Sequence, residues 1–285
     1  MNPDPQQDPI GKVWNMMEDF IGQCIVVKVG TSTLTYENGK LNIRRIEQLA
    51  RVLSDLQNAG NRMVLVSSGA IGVGVGKLGL AERPRETEQK QAVAAVGQCE
   101  LMFMYDKMFG EYNHTVAQVL LTRDVVENEH SKQNVVNTLH TLLSMGIIPV
   151  VNENDTVAID ELVGANFGDN DTLSAIVAHL AEAQKLIILT DIDGLYDSDP
   201  RKNPDAKRIP EVRKVTPEII ALAGGSGSAR GTGGMLTKVH AAQMANQNGI
   251  DVIIIRGDQP KLLYDAVAGL PVGTRFCRQT NDAEQ

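Results

Sequence analysis

Short runs of apolar, mostly β-branched residues alternate along this chain with longer segments in which apolar side chains recur every three or four positions. The short runs predict strands at residues 25–29, 63–66, 115–121, 147–151, 185–190 and 251–255. The longer segments predict helices at residues 43–56, 89–108, 132–145, 172–182 and 237–248. Because strand and helix alternate, we expect an α/β fold with a mainly parallel sheet and helices on both faces.

A few segments interrupt this alternation. Asn38-Gly39 predicts a small hairpin between residues 33 and 41, and a glycine-rich turn is expected after the strand at 63–66. Irregular stretches at residues 197–210 and 224–234 are candidate ligand sites, because ligands in α/β sheets bind where loops follow strands or precede helices.

The expected organisation is an N-terminal arm at residues 1–21, one domain at 22–276 and a short tail at 277–285. Within the arm, Val13, Trp14, Met17 and Phe20 predict one short amphipathic helix docked on the core.

Composition narrows the class of protein. The 285 residues carry 27 Lys and Arg against 35 Asp and Glu, so the net charge is 27 − 35 = −8, and no basic cluster predicts a nucleic-acid partner. The longest aliphatic runs, such as residues 186–189, are far shorter than the ~20 residues of a membrane span. Cys24, Cys99 and Cys277 lie far apart, as is typical of free, mostly buried thiols in a reducing compartment. We therefore expect a cytoplasmic protein with neither nucleic acid nor membrane as a partner.

Two familiar phosphate-binding patterns do not fit. Gly74, Gly76 and Gly79 match the spelling of a dinucleotide-binding motif, but residues 67–73 separate them from the strand that the motif should follow directly. In a Walker A loop Lys77 would be followed by Ser or Thr, and here Leu78 follows it.

A third glycine-rich segment is better suited to phosphate. Residues 231–238, Gly-Thr-Gly-Gly-Met-Leu-Thr-Lys, lead directly into the helix predicted at 237–248. Exposed backbone N–H groups, the helix dipole and the ammonium group of Lys238 all favour an anion there. The alternative, a flexible linker, does not explain a lysine at the start of a helix.

Polar residues follow three predicted strands. Lys28 ends an apolar strand, where a lysine needs either an anionic partner or an edge position open to water, and Gly30-Thr31-Ser32 after it favours an anion site. Ser67-Ser68-Gly69-Ala70 and Asn152-Glu153-Asn154-Asp155 follow two other strands, and each alone is an ordinary loop start. Because the carboxyl ends of parallel strands meet at one edge, the three segments together predict a site.

Acidic residues lie at two further junctions. In Gly168-Asp169-Asn170-Asp171, a helix N-cap explains one aspartate but not the series, which offers extra acceptors beside the expected lysines. Thr190-Asp191 ends another strand and is followed by Asp193-Gly194, an ordinary turn, so we assign no metal ligands. The five histidines fall outside all of these segments.

Taken in order, these segments resemble the motifs of the amino acid kinase family, in the branch that phosphorylates the γ-carboxylate of glutamate. The resemblance covers residues 22–276 and includes Gly194-Leu195-Tyr196 and Asp199-Pro200. It implies an αβα sandwich around a mainly parallel sheet of about eight strands. Many members of this branch carry a C-terminal PUA domain, which is not expected here because only about a dozen residues follow Gly273.

The resemblance also implies a reaction and residue roles. ATP would phosphorylate L-glutamate to γ-glutamyl phosphate, the first step of proline biosynthesis, and no general base is needed because a carboxyl group with a pKa of about 4.3 is already ionised. Lys28 and Lys238 would be catalytic and Asp171 would orient them, with Mg²⁺ on the phosphates of ATP. The implied glutamate-binding residues are Ser68, Asp155 and Asn170. The implied ATP-binding residues are Lys28, Thr190, Asp191, Thr232, Gly233, Gly234, Met235, Leu236, Thr237 and Lys238.

Several alternatives stay open at this point. A kinase of the same fold could act on acetylglutamate, aspartate or carbamate, although an acidic residue such as Asp155 suits the free α-amino group of glutamate. A catalytically silent sensor and a dinucleotide-dependent oxidoreductase are further alternatives. The resemblance also suggests a homo-oligomer, feedback inhibition by proline and a functional link to glutamate-5-semialdehyde dehydrogenase.

Overall fold

The computed structural model describes residues 22–36, 38–157, 169–224 and 234–279. Its strands are β1 Cys24–Val29, β2 Arg62–Ser67, β3 Val116–Leu121, β4 Ile148–Glu153, β5 Lys185–Thr190, β6 Glu211–Val212, β7 Asp251–Arg256 and β8 Thr274–Phe276. Its helices are α1 Thr31–Leu34, α2 Ile43–Asn58, α3 Ala70–Leu78, α4 Thr87–Gly110, α5 Arg123–Glu127, α6 Glu129–Ser144, α7 Asn170–Leu180, α8 Pro217–Gly224, α9 Met235–Gln247 and α10 Leu262–Val267.

The strands form one sheet in the order β3-β4-β2-β1-β5-β7-β8-β6. The pairing is parallel except between β7 and β8. The prediction of an α/β fold with a mainly parallel sheet of about eight strands is therefore confirmed. Strand β1 lies centrally between β2 and β5. Strands β2 to β4 extend the sheet on one side of β1 and strands β5 to β8 extend it on the other side, so the direction of strand order reverses at β1. Such a reversal opens a crevice at the carboxyl ends of the central strands.

Two apolar clusters cover the two faces of the sheet. Alternate residues of β1 point to opposite faces, so Val26 belongs to one cluster and Val27 to the other. Helices α6, α7 and α9 pack on the first face, and α2, α4 and α10 pack on the second. This layered packing holds the carboxyl ends of the central strands on a rigid base.

The predicted strands match the observed strands within two residues. The prediction of a glycine-rich turn after β2 was wrong, because most of this segment is the helix α3. Its glycines serve helix packing. A Cβ atom on Gly74 would overlap the backbone oxygen of Val93 in α4, and a Cβ atom on Gly97 in α4 would overlap that of Ala70. Close contact between α3 and α4 therefore explains these glycines, in agreement with the rejection of a dinucleotide-binding motif at this position.

Other expectations need smaller corrections. The hairpin at Asn38-Gly39 is reduced to one antiparallel bridge between Thr35 and Leu41, and the residues before it form the short helix α1. The expectation of mostly buried thiols was wrong, since Cys24 is buried but Cys99 is exposed. The N-terminal arm lies outside the described residues. Among the described helices, none is both long and apolar enough to cross a membrane.

Candidate active site

The centre of the crevice holds two lysines and one aspartate, here called the Lys-Asp-Lys cluster. Lys28 comes from β1, Asp171 from the first turn of α7 and Lys238 from the first turn of α9. The Nζ atom of Lys28 lies 2.6 Å from Oδ1 of Asp171, and the Nζ atom of Lys238 lies 3.0 Å from Oδ2. Because β1 is central and Lys28 is only 7% exposed, the edge-strand interpretation of this lysine was wrong.

Electrostatics explain why these charges are stable when buried. Burial alone would raise the pKa of Asp171, but the positive charges of Lys28 and Lys238 and a hydrogen bond from Thr237 outweigh burial and lower the pKa to about 2. The hydroxyl of Thr237 donates to Oδ2 of Asp171 over 2.8 Å. Burial lowers the pKa of Lys238, and the charge of Asp171 opposes this effect. With all three groups ionised, the cluster carries a net charge of +1.

Each residue of the Asp-Asn-Asp series at 169–171 makes a different contact. Asp169 is the N-cap of α7, and its Oδ1 accepts from the backbone N–H of Thr172 over 2.7 Å. Asn170 does not contribute to the cap, and its Nδ2 donates to Oγ of Ser68 over 2.8 Å. Asp171 holds the two lysines. The helix-cap explanation therefore accounts for the first residue of the series only.

Polar side chains surround Asn170 at the ends of β2 and β4, a region we call the acceptor end of the crevice. Nδ2 of Asn170 also donates to Oδ1 of Asn152 over 3.0 Å, and Nδ2 of Asn152 donates to Oε1 of Gln98 over 2.9 Å. The structure thus brings together Ser68 and Asn170, both predicted as glutamate-binding residues. Asn152 lay in a predicted segment but had no assigned role, and Gln98 on α4 was missed.

Asp155 follows β4 and is half-buried. Burial raises the pKa of its carboxyl group to about 6, although the positive charge of Arg83 opposes the shift. A carboxylate that loses hydration in this way gains from a cationic partner. Asp155 is therefore suited to receive an ammonium group.

Beyond the cluster, β5 and α9 form the other end of the crevice. Thr190 is buried, and its hydroxyl donates to Oδ1 of Asp191 over 3.1 Å. The side chain of Asp191 is half-exposed, with Oδ2 3.9 Å from Nη2 of Arg201. The start of α9 adds Gly234 as its N-cap, so its first backbone N–H groups are available to an anion.

The structure places the other predicted ATP-binding residues in three ways. Thr237 and Lys238 belong to the cluster just described. Met235 is buried in the core, and Leu236 is partly buried and packs against it. Thr232 and Gly233 lie outside the described residues.

The described residues include no group of three His, Cys, Asp or Glu side chains suited to a metal ion. Both carboxylate oxygens of Asp171 are taken by lysines. Asp193 accepts from the hydroxyl of Tyr196 over 2.8 Å and lies 3.4 Å from Nη1 of Arg208. Asp171 and Asp193 therefore already have cationic or hydroxyl partners.

Comparison with known proteins assigns the chain to a family. The sequence model of the family described as "Amino acid kinase family" matches residues 23–256. The chain therefore belongs to the amino acid kinase family. A glutamate 5-kinase from Clostridium perfringens is 63% identical over 253 residues, which are 88% of this chain and 94% of that protein. A glutamate 5-kinase from Listeria innocua is 55% identical over 259 residues, which are 90% of this chain and 94% of that protein.

Solved structures with the same fold are more distant in sequence. A carbamate kinase from Giardia lamblia bound to AMP-PNP has a TM-score of 0.64 at 16% identity, covering 91% of this chain and 99% of its own. A UMP kinase from Ureaplasma parvum has a TM-score of 0.62 at 15% identity, covering 90% of this chain and 99% of its own. At such low identity these likenesses establish the fold alone.

Proposed function

We propose that this chain is an ATP-dependent glutamate 5-kinase that converts L-glutamate to γ-glutamyl phosphate, the first step of proline biosynthesis. The observation that carries the proposal is the buried Lys-Asp-Lys cluster between a polar acceptor end and a helix N-terminus. The similarity to glutamate 5-kinases across most of the chain supports the choice of substrate.

In the proposed reaction, an oxygen of the γ-carboxylate attacks the γ-phosphorus of ATP, and the bond to the bridging oxygen breaks to leave ADP. The main obstacle is charge, because two unit negative charges 4 Å apart repel by about 4 kcal/mol at an effective dielectric constant of 20. Lys28 and Lys238 offset this repulsion from fixed positions, and such stabilisation by preorganised charges is the main source of catalysis in phosphoryl transfer.

Asp171 acts through the lysines rather than on the substrates. Its two oxygens hold the two Nζ atoms 2.6 and 3.0 Å away, which fixes both ammonium groups before substrate binds. The two positive charges therefore stand at fixed positions, where they can act on the phosphates and the carboxylate.

Mg²⁺ enters this scheme as part of the co-substrate MgATP. The described acidic side chains do not form a metal-binding group of their own, so we propose that the phosphates carry the ion. Bound there, Mg²⁺ neutralises phosphate charge. The nucleotide lies against Thr190, Asp191 and the start of α9.

Asp155, Asn170 and Ser68 form the proposed glutamate site. The carboxylate of Asp155 receives the α-ammonium group, which would relieve the desolvation that raises its pKa. An acetylated amine carries no charge and gains nothing from such a partner, which favours free glutamate over acetylglutamate.

An ADP-release assay across glutamate, acetylglutamate, aspartate and carbamate tests the choice of acceptor. We expect glutamate to give the highest kcat/KM by at least tenfold. A higher value for any of the other three acceptors would contradict the proposed substrate. The homo-oligomer, the proline inhibition and the link to glutamate-5-semialdehyde dehydrogenase stay proposals based on the family.

A further inference from the structure

A chain of three amide side chains, here called the amide chain, runs from the middle of α4 to the acceptor end. Its members are Gln98, Asn152 and Asn170. Oε1 of Gln98 accepts from Nδ2 of Asn152 over 2.9 Å, and Oδ1 of Asn152 accepts from Nδ2 of Asn170 over 3.0 Å. Gln98 and Asn152 are 8% and 2% exposed, so water cannot readily replace these partners.

The order of donors and acceptors along the amide chain has a direction. An amide side chain donates at its nitrogen and accepts at its oxygen. Because Gln98 offers an oxygen, Asn152 must turn its nitrogen towards α4 and its oxygen towards Asn170. Asn170 then turns its nitrogen inwards, where Ser68 also accepts from it over 2.8 Å. Its Oδ1 is left on the opposite side of the amide as an acceptor.

We propose that Gln98 is a positioning residue of the glutamate site. It sets the orientation of the amide chain, so that Asn170 presents its acceptor Oδ1 to the α-ammonium group of glutamate. Without the oxygen of Gln98, the side-chain amide of Asn152 could turn over so that its oxygen and nitrogen exchange places. The nitrogen of Asn152 would then face the nitrogen of Asn170. This inference rests on the proposed function, because it takes Asn170 as a glutamate-binding residue.

The packing of α4 explains how Gln98 reaches this place. The neighbouring Gly97 has no Cβ atom, which lets α4 approach the backbone of Ala70 at the start of α3. Seven residues further along the helix, the hydroxyl of Tyr105 lies 2.7 Å from Oγ of Ser67. Gln98 and Tyr105 thus lie on one face of α4, and they contact Asn152 at the end of β4 and Ser67 at the end of β2, respectively.

Three variants separate orientation from packing. Gln98→Met keeps the length of the side chain but removes the acceptor, and Gln98→Glu keeps an acceptor oxygen in either protonation state. Met104→Leu is the packing control, because Met104 is also on α4 and is also 8% exposed. Steady-state kinetics give KM for glutamate, KM for ATP and kcat for each variant.

For Gln98→Met we expect KM for glutamate to rise roughly 5- to 30-fold, as for the loss of one buried hydrogen-bond partner. KM for ATP and kcat should stay within about twofold, Gln98→Glu should recover most of the loss, and Met104→Leu should resemble wild type. If Gln98→Met does not fold, Gln98→Asn withdraws the acceptor by one methylene group and should raise KM for glutamate in the same way.

The results distinguish this inference from the proposed function. No turnover of glutamate by the wild-type chain overturns the proposed function and the inference with it. With an active wild type, three results overturn the inference alone: an unchanged KM for glutamate, an equal rise in KM for ATP, or a Gln98→Glu variant as impaired as Gln98→Met.

Discussion

Replacing Asp155 by Asn should stabilise the free protein while weakening glutamate binding. Burial raises the pKa of this carboxyl group from 3.8 to about 6 against the opposing charge of Arg83. When folding raises the pKa of a carboxyl group, its anion is less stable in the folded protein than in the unfolded chain. The ionised group therefore disfavours the folded state. The folded protein therefore loses stability as the pH rises from 3.8 to about 6, and the full penalty is present above pH 6.

The size of the effect follows from the two pKa values. A difference of about two pH units corresponds to about 3 kcal/mol. Asp155 is only half-buried, and solvent screening reduces this figure. For Asp155→Asn we expect the free energy of unfolding to rise by ~1–2 kcal/mol at pH 7 and by much less at pH 4, where the folded wild-type protein is already protonated at Asp155.

Urea unfolding followed by circular dichroism at both pH values measures this difference. The exposed Asp106 on α4 provides the control, because Asp106→Asn removes the same charge without changing a buried group. A loss of stability in Asp155→Asn at pH 7, or a gain of the same size at both pH values, would show that the ionised carboxylate of Asp155 does not destabilise the folded protein.

The same substitution should impair substrate binding. Loss of one partner of a desolvated charge pair costs roughly 2–5 kcal/mol, so KM for glutamate should rise on the order of 30-fold or more. KM for ATP should hardly change. Equal losses for both substrates would assign Asp155 a structural role, because a specific ammonium contact affects glutamate alone.

Two further predictions concern the Lys-Asp-Lys cluster. Lys28→Ala and Lys238→Ala should each lower kcat by about 10²–10³ in the ADP-release assay, since they act on charge that develops during transfer; a tenfold rise in KM with unchanged kcat would contradict that role. Asp171→Asn leaves two buried ammonium groups without a counter-charge and should cost ~2–3 kcal/mol at pH 7 in urea unfolding, the free energy that corresponds to the lowered pKa of Asp171. Because the pKa of Asp171 is lowered from 3.8 to about 2, this stabilisation is complete above pH 3.8 and is lost as the pH falls through 2, so variant and wild type should converge at low pH. Wild-type stability of Asp171→Asn at pH 7 would be the contrary result.

Strand positions could be predicted because β-branched runs such as residues 185–190 are buried on both faces of the sheet and carry no competing helical period. The helix α3 could not be predicted, because Gly74 and Gly76 each disfavour a helix by about 1 kcal/mol. Packing against α4 overrides that preference, and such contacts between distant segments leave no local pattern. The short strands β6 and β8 were missed because two or three residues show no period.

The candidate site was predictable where residue types conflict with their surroundings. Lys28 in an apolar strand and Asp171 in a series of three polar residues both demanded partners, and the structure makes them partners of each other. Gln98 could not be found in this way, because a glutamine in the middle of a helix is ordinary. Only the fold shows that its oxygen meets Asn152, 54 residues away.

In the proposed function, this chain transfers the γ-phosphoryl group of ATP to glutamate without another protein. The most direct measurement supplies the purified 285-residue chain with glutamate, ATP, Mg²⁺ and hydroxylamine, and compares ADP released with γ-glutamyl hydroxamate formed. We predict both products in equal amounts, at a turnover of roughly 1–100 s⁻¹. ADP without hydroxamate, or turnover only after another protein is added, would contradict the proposal that this chain is a glutamate 5-kinase.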